Sequence, residues 1–153
     1  YLGEALAAIE GTETANVYAS GMGAISSVIM QLCDAGDHIV SSRTIYGGTY
    51  AFLKNFAPRL GIQTSFVDVT NLEAVEASIT EKTKIIFCEC VSNPLLEIAD
   101  IRGLAKIAEK HGLKTDAQGQ KSLYYSNGIL EGTETIAFFV LLCLMLNVKV
   151  IGF

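Results

Sequence analysis

Apolar and polar positions follow two distinct patterns along residues 1–114. Residues 84–89 form a short apolar run bounded by polar residues, which is typical of a strand buried in a parallel sheet. Residues 38–41 lie between the turn at residues 34–37 and the glycine turn at residues 46–49, which also indicates a strand. Between such runs, apolar residues recur at helical spacing, as over residues 25–33, where one face of a helix would be buried. This alternation predicts an α/β domain with a mostly parallel sheet and flanking helices.

The spacing predicts strands and helices in the order βαβαβαβα. The strands are predicted at residues 16–20, 38–41, 62–69 and 84–89. The helices are predicted at residues 25–33, 50–60, 72–79 and 101–111. Since ligands of parallel α/β sheets collect at the carboxyl ends of the strands, we expect a binding site in the loops that follow them.

Residues at the helix ends support this assignment. Thr70 and Glu73 have the spacing of a capping box, which predicts that Thr70 caps a helix. Asp100 is predicted to cap the last helix, and Gly112 to end it. Pro58 is expected to perturb the helix over residues 50–60.

The pattern changes after residue 114. Residues 114–128 are polar and rich in turn formers, although the helix that ends at Gly112 should lead into another buried strand. Residues 136–146 form an unbroken apolar run that is shorter than the ~20 residues of a bilayer crossing. We therefore expect one unit over residues 1–114 and an unrelated tail over residues 115–153.

Three hypotheses remain open for this tail. The abrupt change favours a frameshift, a retained intron or a misjoined gene model. A genuine tail of a truncated paralogue is the alternative, and the recurrence of Glu-Gly-Thr-Glu-Thr at residues 10–14 and 131–135 leaves a partial duplication open. A membrane anchor over residues 136–153 is the third, but Asn147 and Lys149 disfavour it, and we expect no membrane association.

Composition excludes two classes of protein. Of the 153 residues, 50% are hydrophobic and 18% charged, so the chain is not intrinsically disordered. Eleven Lys and Arg against sixteen Asp and Glu give a net charge of −5, and the basic residues do not cluster. We therefore expect no nucleic-acid partner.

The four cysteines are too sparse for a disulfide scaffold, which favours a cytoplasmic, reducing compartment. Cys88 and Cys90 form a C-x-C that would lie on one face of a strand, but other residues in metal-ligand spacing are missing. His38 begins a predicted strand and His111 lies in a last helical turn. We expect both histidines to be structural and predict no metal site.

Two glycines precede the first long predicted helix, in the sequence Ser20-Gly21-Met22-Gly23. Glycines let a phosphate approach the backbone, and a helix N-terminus directs unpaired amides towards an anion. A turn that merely joins a strand to a helix is the alternative. The third glycine of a dinucleotide fingerprint and the Lys-Ser or Lys-Thr of an ATP-binding loop are missing, which favours another phosphorylated cofactor.

Two further residues could contact such a cofactor. Tyr46 precedes two glycines at a predicted strand-to-helix turn, where its ring could stack on a planar group and its hydroxyl could move a proton. Asn93 precedes Pro94 and could direct its amide into a cleft. An ordinary surface tyrosine and an Asx turn are the alternatives.

Five motifs occur together in one order and spacing. They are Ile9-Glu10-Gly11-Thr12-Glu13, Ser20-Gly21-Met22-Gly23-Ala24-Ile25, Gly36-Asp37-His38-Ile39-Val40, Tyr46-Gly47-Gly48-Thr49 and Asn93-Pro94. As a set they resemble the Cys/Met-metabolism family of pyridoxal-phosphate-dependent enzymes, nearest to its methionine γ-lyase and cystathionine γ-lyase branch. The resemblance ends at about residue 114 and implies part of the large domain of the aspartate-aminotransferase-like fold, fold type I.

The resemblance also implies a function and a site. Enzymes of this family carry out γ-elimination or γ-replacement on small sulfur amino acids, as in trans-sulfuration, and form homo-oligomers. By resemblance, the amides of Gly21 and Met22 would hold the phosphate of pyridoxal 5'-phosphate. Tyr46 would stack on its pyridine ring and transfer a proton at the γ-leaving group, and Asn93 would lie near its phenolic oxygen.

The sequence departs from the family pattern beyond residue 114. Asp116 does not match the aspartate that pairs with the pyridine nitrogen, and none of Lys114, Lys121 and Lys149 has the Ser-x-x-Lys context of the lysine that anchors the cofactor. The upstream Tyr and Arg of the family are missing too, as in a fragment cut at both ends. We therefore expect little turnover from this chain alone.

The alternative function is that of a catalytically dead, truncated paralogue that pairs with full-length homologues. A missing strand and exposed apolar surface would also make the fragment self-associate or dissolve poorly. Co-purification with an intact homologue would support the partner role.

Overall fold

A single sheet of four parallel strands organises the computed structural model, which describes residues 1–10, 15–92, 95–113 and 150–152. The strands are β1 (His38–Ser42), β2 (Gln63–Val67), β3 (Thr83–Cys88) and β4 (Val150–Gly152), in the spatial order β2-β1-β3-β4. The helices are α1 (Leu2–Glu10), α2 (Gly21–Leu32), α3 (Gly47–Ala51), α4 (Leu72–Ala77) and α5 (Ile101–Lys110). The prediction of an α/β domain with a parallel sheet is confirmed.

Both faces of the sheet are buried, which explains the continuous apolar runs. Side chains alternate between the faces of a strand. Ile39 and Ile85 pack beneath α2 and α3, whereas their neighbours Val40 and Ile86 pack beneath α4 and α5. All four are fully buried, and all five residues of β1 are buried. The core therefore consists of two apolar layers with β1 and β3 between them.

The predicted strand over residues 16–20 is wrong. Residues 15–20 form an irregular segment that leads into α2 and has no partner among the described strands. Residues 16–20 are exposed, including Val17 and Tyr18 at 46% and 39%. The pattern of this segment resembles a strand, but none of the described strands lies beside it and none of the described elements buries it.

The other predicted elements are confirmed with shifted ends. The strands predicted at 38–41, 62–69 and 84–89 correspond to β1, β2 and β3. The buried face of α2 contains Ile25, Val28 and Ile29, as its spacing predicts. The buried face of α5 contains Leu104, Ile107 and Ala108.

The capping predictions are confirmed for α5 and wrong by one residue for α4. Asp100 Oδ1 accepts the Gly103 amide at 2.9 Å, and Gly112 has a φ of +65° just beyond the helix. The cap of α4 is Asn71, whose Oδ1 accepts the Ala74 amide at 3.0 Å. Thr70 instead donates its hydroxyl to Asp68 Oδ1 at 2.6 Å. Its side chain stabilises the turn that begins at Asp68 and therefore does not cap α4.

The helix predicted over residues 50–60 begins earlier, at Gly47, and is irregular. After α3 it continues as a π-helical turn, Phe52–Phe56, and a 3₁₀ turn, Ala57–Leu60. Pro58 lies in the 3₁₀ turn. Proline has no amide hydrogen to donate to a helical carbonyl, so it perturbs the helix as predicted. Gly61 ends the segment with a φ of +80°.

β4 lies within the stretch predicted as a tail. It pairs in parallel with β3, with Val150 opposite Ile86 and Gly152 opposite Cys88. The polar residues 114–128 and the apolar run 136–146 lie outside the described residues. In the part of the chain that the structure describes, no helix is long and apolar enough to cross a bilayer.

The cysteines of the C-x-C motif do not share a strand. Cys88 is the last residue of β3 and is fully buried, whereas Cys90 follows the strand and is half-buried. Burial raises the pKa of both thiols. Among the described residues, no three His, Cys, Asp or Glu side chains cluster as metal ligands would.

His38, the first residue of β1, connects this strand to both of its neighbours, β2 and β3. Its Nδ1 lies 2.8 Å from Thr83 Oγ1 of β3, and its Nε2 lies 2.9 Å from Ser65 Oγ of β2. The neutral ring can donate to one hydroxyl and accept from the other. Burial lowers the pKa of His38 below its ordinary value of 6.5, so the folded protein favours the neutral ring.

We predict that the free energy of unfolding decreases as the pH falls below 6.5, the ordinary pKa of histidine. Below this pH the unfolded chain binds a proton at residue 38 that the folded chain resists, until the lower folded pKa is reached. Urea denaturation between pH 5 and pH 7.5 measures the change, and His38→Gln should flatten it. An unchanged slope in His38→Gln would contradict the assignment.

Candidate functional site

The N-terminus of α2 is open and suited to an anion. Ser20 has extended backbone angles, φ −155° and ψ 154°, and its Oγ accepts the Gly23 amide at 3.0 Å. The amides of Gly21 and Met22 lie in the first turn of the helix, where no helical carbonyl precedes them to accept their hydrogens. Within the described residues, no acceptor lies within hydrogen-bonding distance of them. Two amides and the positive end of the helix dipole therefore face one point outside the helix.

Met22 connects this helix end to the start of α3. The Thr49 hydroxyl donates to Met22 Sδ at 3.8 Å, and the Ser26 hydroxyl donates to the Met22 carbonyl at 2.7 Å. The side chain of Met22 is half-buried and packs against the apolar layer beneath α2. The α2 N-terminus and the α3 N-terminus are thus in direct contact.

The ring of Tyr46 lies beside Met22, at the start of α3. A Cβ atom on Gly48 would lie 2.5 Å from Tyr46 Cε1 and 3.1 Å from Met22 Sδ, so only glycine leaves room for the ring here. The tyrosine is 53% exposed, which leaves part of the ring accessible. Tyr46 and the α2 amides therefore lie at one edge of the sheet, where a group with a phosphate and a planar ring could contact both.

The loop that carries Tyr46 is held by hydrogen bonds from two sides. Within the loop, Ser42 Oγ accepts the Thr44 amide at 3.1 Å. Across the sheet, Glu89 Oε1 accepts the Tyr46 amide at 2.6 Å. Glu89 directly follows β3, so this hydrogen bond joins the carboxyl ends of two adjacent strands.

The structure brings together Gly21, Met22 and Tyr46, three of the four predicted cofactor-binding residues. Their roles toward a ligand remain predictions. Asn93 and Pro94 lie outside the described residues, so the predicted role of Asn93 is not tested. On either side of them, Val91 pairs with Ile98 in an antiparallel bridge.

Sequence reasoning missed Gly48 and Glu89. Gly48 was noted only as part of a turn, although its lack of a side chain is what accommodates the Tyr46 ring. Glu89 is the last residue of the strand predicted at residues 84–89, but its partner is a backbone amide 43 residues away in sequence. A contact of that separation has no local sequence signal.

The histidines have the structural positions expected of them. His38 lies at the opposite, amino ends of the strands. His111 Nε2 lies 3.0 Å from Glu76 Oε1, where it joins α5 to α4. Neither histidine belongs to the cluster formed by Met22, Tyr46 and Glu89.

Known proteins resemble this chain over the same residues that form the site. The profile of the Cys/Met metabolism PLP-dependent enzyme family matches residues 1–117. A methionine gamma-lyase of Arabidopsis thaliana is 47% identical over 114 residues, which cover 73% of this chain and 26% of that protein. The chain thus spans about a quarter of the length of the curated relatives it matches.

Two solved structures show the same fold. An O-acetylhomoserine sulfhydrylase of Wolinella succinogenes has a TM-score of 0.72 at 36% identity, over 74% of this chain and 32% of that chain. A putative O-acetylhomoserine (thiol)-lyase of Campylobacter jejuni has a TM-score of 0.70 at 37% identity, over 74% of this chain and 28% of that chain. The latter contains a pyridoxyl-lysine-phosphate. The resemblance drawn from the motifs, and the partial fold type I domain it implied, are confirmed.

Proposed function

The chain belongs to the Cys/Met metabolism PLP-dependent enzyme family, and we propose that it supplies part of the cofactor site of an enzyme acting on sulfur amino acids. The observation that carries this proposal is the contact between two elements at one sheet edge. The open N-terminus of α2 and the ring of Tyr46 meet at Met22. A phosphate and a planar ring on one small molecule match that pair of features.

The phosphate of pyridoxal 5'-phosphate would be held by the amides of Gly21 and Met22. Ser20 already takes the third amide of the helix, so the remaining two are available to an anion. Backbone amides suit this role because they are neutral, fixed in direction and supported by the helix dipole. The net charge of −5 does not prevent binding at short range, since salt screens distant charges.

Tyr46 would stack on the pyridine ring and carry a proton to or from the γ-leaving group of the substrate. Its exposed ring offers the surface for stacking, and its hydroxyl offers the proton. The amide of Asn93 would lie near the phenolic oxygen of the cofactor. When bound, pyridoxal phosphate withdraws electrons from the Cα of an amino acid.

The proposed reaction is γ-elimination or γ-replacement on a small sulfur amino acid or a homoserine ester. The names of the relatives support this substrate class, since they include a methionine gamma-lyase and two enzymes named for O-acetylhomoserine. The retained site does not distinguish elimination from replacement. Both begin with loss of the same Cα proton, and both use the same phosphate and ring contacts.

We propose that the 153-residue chain does not turn over by itself. None of its lysines stands in a Ser-x-x-Lys context, and Asp116 is not preceded by an apolar strand pattern. A site that binds the phosphate and the ring would then lack the groups that attach the cofactor and keep its ring an electron sink.

A role as a partner of full-length homologues is the second candidate. Four large apolar side chains among the described residues that follow β3 are exposed: Val91 at 51%, Leu95 at 63%, Leu96 at 71% and Ile98 at 74%. An apolar patch of this kind is typical of an interaction surface. In a homo-oligomeric family, an intact relative is the natural partner.

We predict that Gly21→Pro weakens the binding of pyridoxine 5'-phosphate by about tenfold or more, whereas Gly21→Ala does not. Proline removes one amide at the first helical position, where it fits the helix, and the extended Ser20 suits the residue before it. A hydrogen bond to a charged group contributes about 1.5–3 kcal/mol. Titration calorimetry measures the affinity, and equal values for the two variants would contradict the phosphate site.

We predict that borohydride reduction of the chain with pyridoxal 5'-phosphate gives no stoichiometric pyridoxyl adduct at a single lysine. Scattered, partial labelling is expected, because no lysine stands in the anchoring context. Peptide mass spectrometry reads the result, and the Arabidopsis methionine gamma-lyase serves as the positive control. One fully labelled lysine would show an anchor in this chain and overturn the inactivity proposal.

The partner role predicts a stable complex when the tagged chain is co-expressed with an intact relative. Replacing exposed Leu96 and Ile98 by serine should abolish that complex, while serine at exposed Met30 on α2 should not. Size-exclusion chromatography distinguishes the complex from its parts. A monomeric chain that never co-elutes would exclude the partner role.

A further inference from the structure

Glu89 makes a long-range contact that the proposed function does not use. Its Oε1 accepts the backbone amide of Tyr46 at 2.6 Å. The two residues are 43 positions apart but follow adjacent parallel strands, β3 and β1, at the same edge of the sheet. The contact is therefore a product of the fold and not of the local sequence.

The amide that Glu89 accepts is at a position with few other restraints. Tyr46 is the N-cap residue of α3, with φ −48° and ψ 132°, and its own side chain makes no capping hydrogen bond. Its carbonyl accepts the Tyr50 amide at 3.0 Å, which is the first turn of the helix. The Tyr46 amide donates to Glu89, so both the amide and the carbonyl of Tyr46 are hydrogen-bonded.

The ring of Tyr46 depends on this backbone placement. Gly48 leaves space for the ring, and Met22 Sδ borders the same space, 3.1 Å from where a Cβ atom of residue 48 would lie. A glycine makes room but does not hold a ring in place. Tyr46 is 53% exposed, so neighbouring side chains cover only part of its ring, and a rotation of the Tyr46 backbone would move the ring away from Met22.

A carboxylate is well suited to this task. An ionised acceptor makes shorter and stronger hydrogen bonds to an amide than a neutral one, and 2.6 Å is short for an N–H donor. A negative charge at the start of α3 is also favourable to the helix dipole. Neither effect needs contact between Glu89 and a ligand.

We propose that Glu89 is a positioning residue for Tyr46, which it acts on through the backbone amide, and that it keeps the phenol ring against Met22 beside the N-terminus of α2. Only the expected effect on cofactor binding rests on the proposed function. Its structural part, the placement of the ring, stands on the contacts of Glu89, Gly48 and Met22 alone.

The test compares Glu89→Ala and Glu89→Gln in the full chain, with Glu81→Ala as a control for the loss of an exposed carboxylate. In Glu89→Ala we expect the Tyr46 amide to exchange with solvent about tenfold faster or more, and the cross-peak between the Tyr46 ring and the Met22 methyl group to weaken. Glu89→Gln keeps an acceptor oxygen and should restore most of both signals. Glu81→Ala should leave them unchanged.

Two reference amides separate positioning from unfolding. The Ile86 amide reports the core strand β3, and the Tyr50 amide reports the first turn of α3. We expect both to keep their protection in Glu89→Ala. Unchanged Tyr46 exchange and an unchanged ring cross-peak in that variant would overturn the proposal, and so would equal loss of protection at Ile86.

Binding of pyridoxine 5'-phosphate tests the consequence. We expect the affinity to fall about three- to tenfold in Glu89→Ala, the range of a lost ring contact, and to recover in Glu89→Gln. If the unmodified chain does not bind this probe, the proposed function fails, while the exchange and cross-peak data still decide the placement of Tyr46. If the probe binds equally well to the alanine variant, the role of Glu89 toward the cofactor is excluded.

Discussion

The parallel pairing of β1 with β3 is the constraint on which the site depends. In the register of these strands, Ile39 lies opposite Ile85 and Ser41 opposite Phe87, so both strands end at the same edge. The loop after β1 carries Tyr46, and the first residue after β3 is Glu89. Because the strands run in the same direction, their following residues meet, and the 2.6 Å hydrogen bond between them results.

The same topology places α2. This helix leads into the amino end of β1, so its own N-terminus lies at the carboxyl edge of the sheet, near Tyr46. The contact of Thr49 with Met22 Sδ shows that the two helix starts touch. The core holds this arrangement from both sides, since β1 and β3 are buried beneath α2 and α3 on one face and α4 and α5 on the other. The candidate anion site at the start of α2 thus lies against the buried core of the domain.

Much of this could be predicted from the sequence, for reasons that differ by element. β3 was predictable because a strand buried on both faces is nearly continuous in apolar residues, and α5 because Asp100 and Gly112 give clear start and stop signals. Residues 16–20 have the same local pattern, but a strand needs a neighbour, and none pairs with them in the described structure. The helix cap moved from Thr70 to Asn71 because two local turns compete for the same side chains.

Some residues of the candidate site could be predicted from the sequence and others could not. Gly21, Met22 and Tyr46 could be chosen from local motifs, since a glycine turn before a helix and a tyrosine before two glycines are visible in a short window. Glu89 and Gly48 could not, because the role of each depends on where the Tyr46 ring lies in three dimensions. Long-range pairing of strands determines that position, and no local pattern encodes it.

The central claim is that the N-terminus of α2 binds the phosphate of the cofactor. Amide chemical shifts of the ¹⁵N-labelled chain, titrated with pyridoxine 5'-phosphate and separately with pyridoxine, test it most directly. Neither compound has the aldehyde that reacts with lysine, so only reversible binding is seen. We expect saturable shifts at Gly21 and Met22 with the phosphate ester and none there with pyridoxine. Shifts confined to other residues, or equal shifts with both compounds, would contradict the claim.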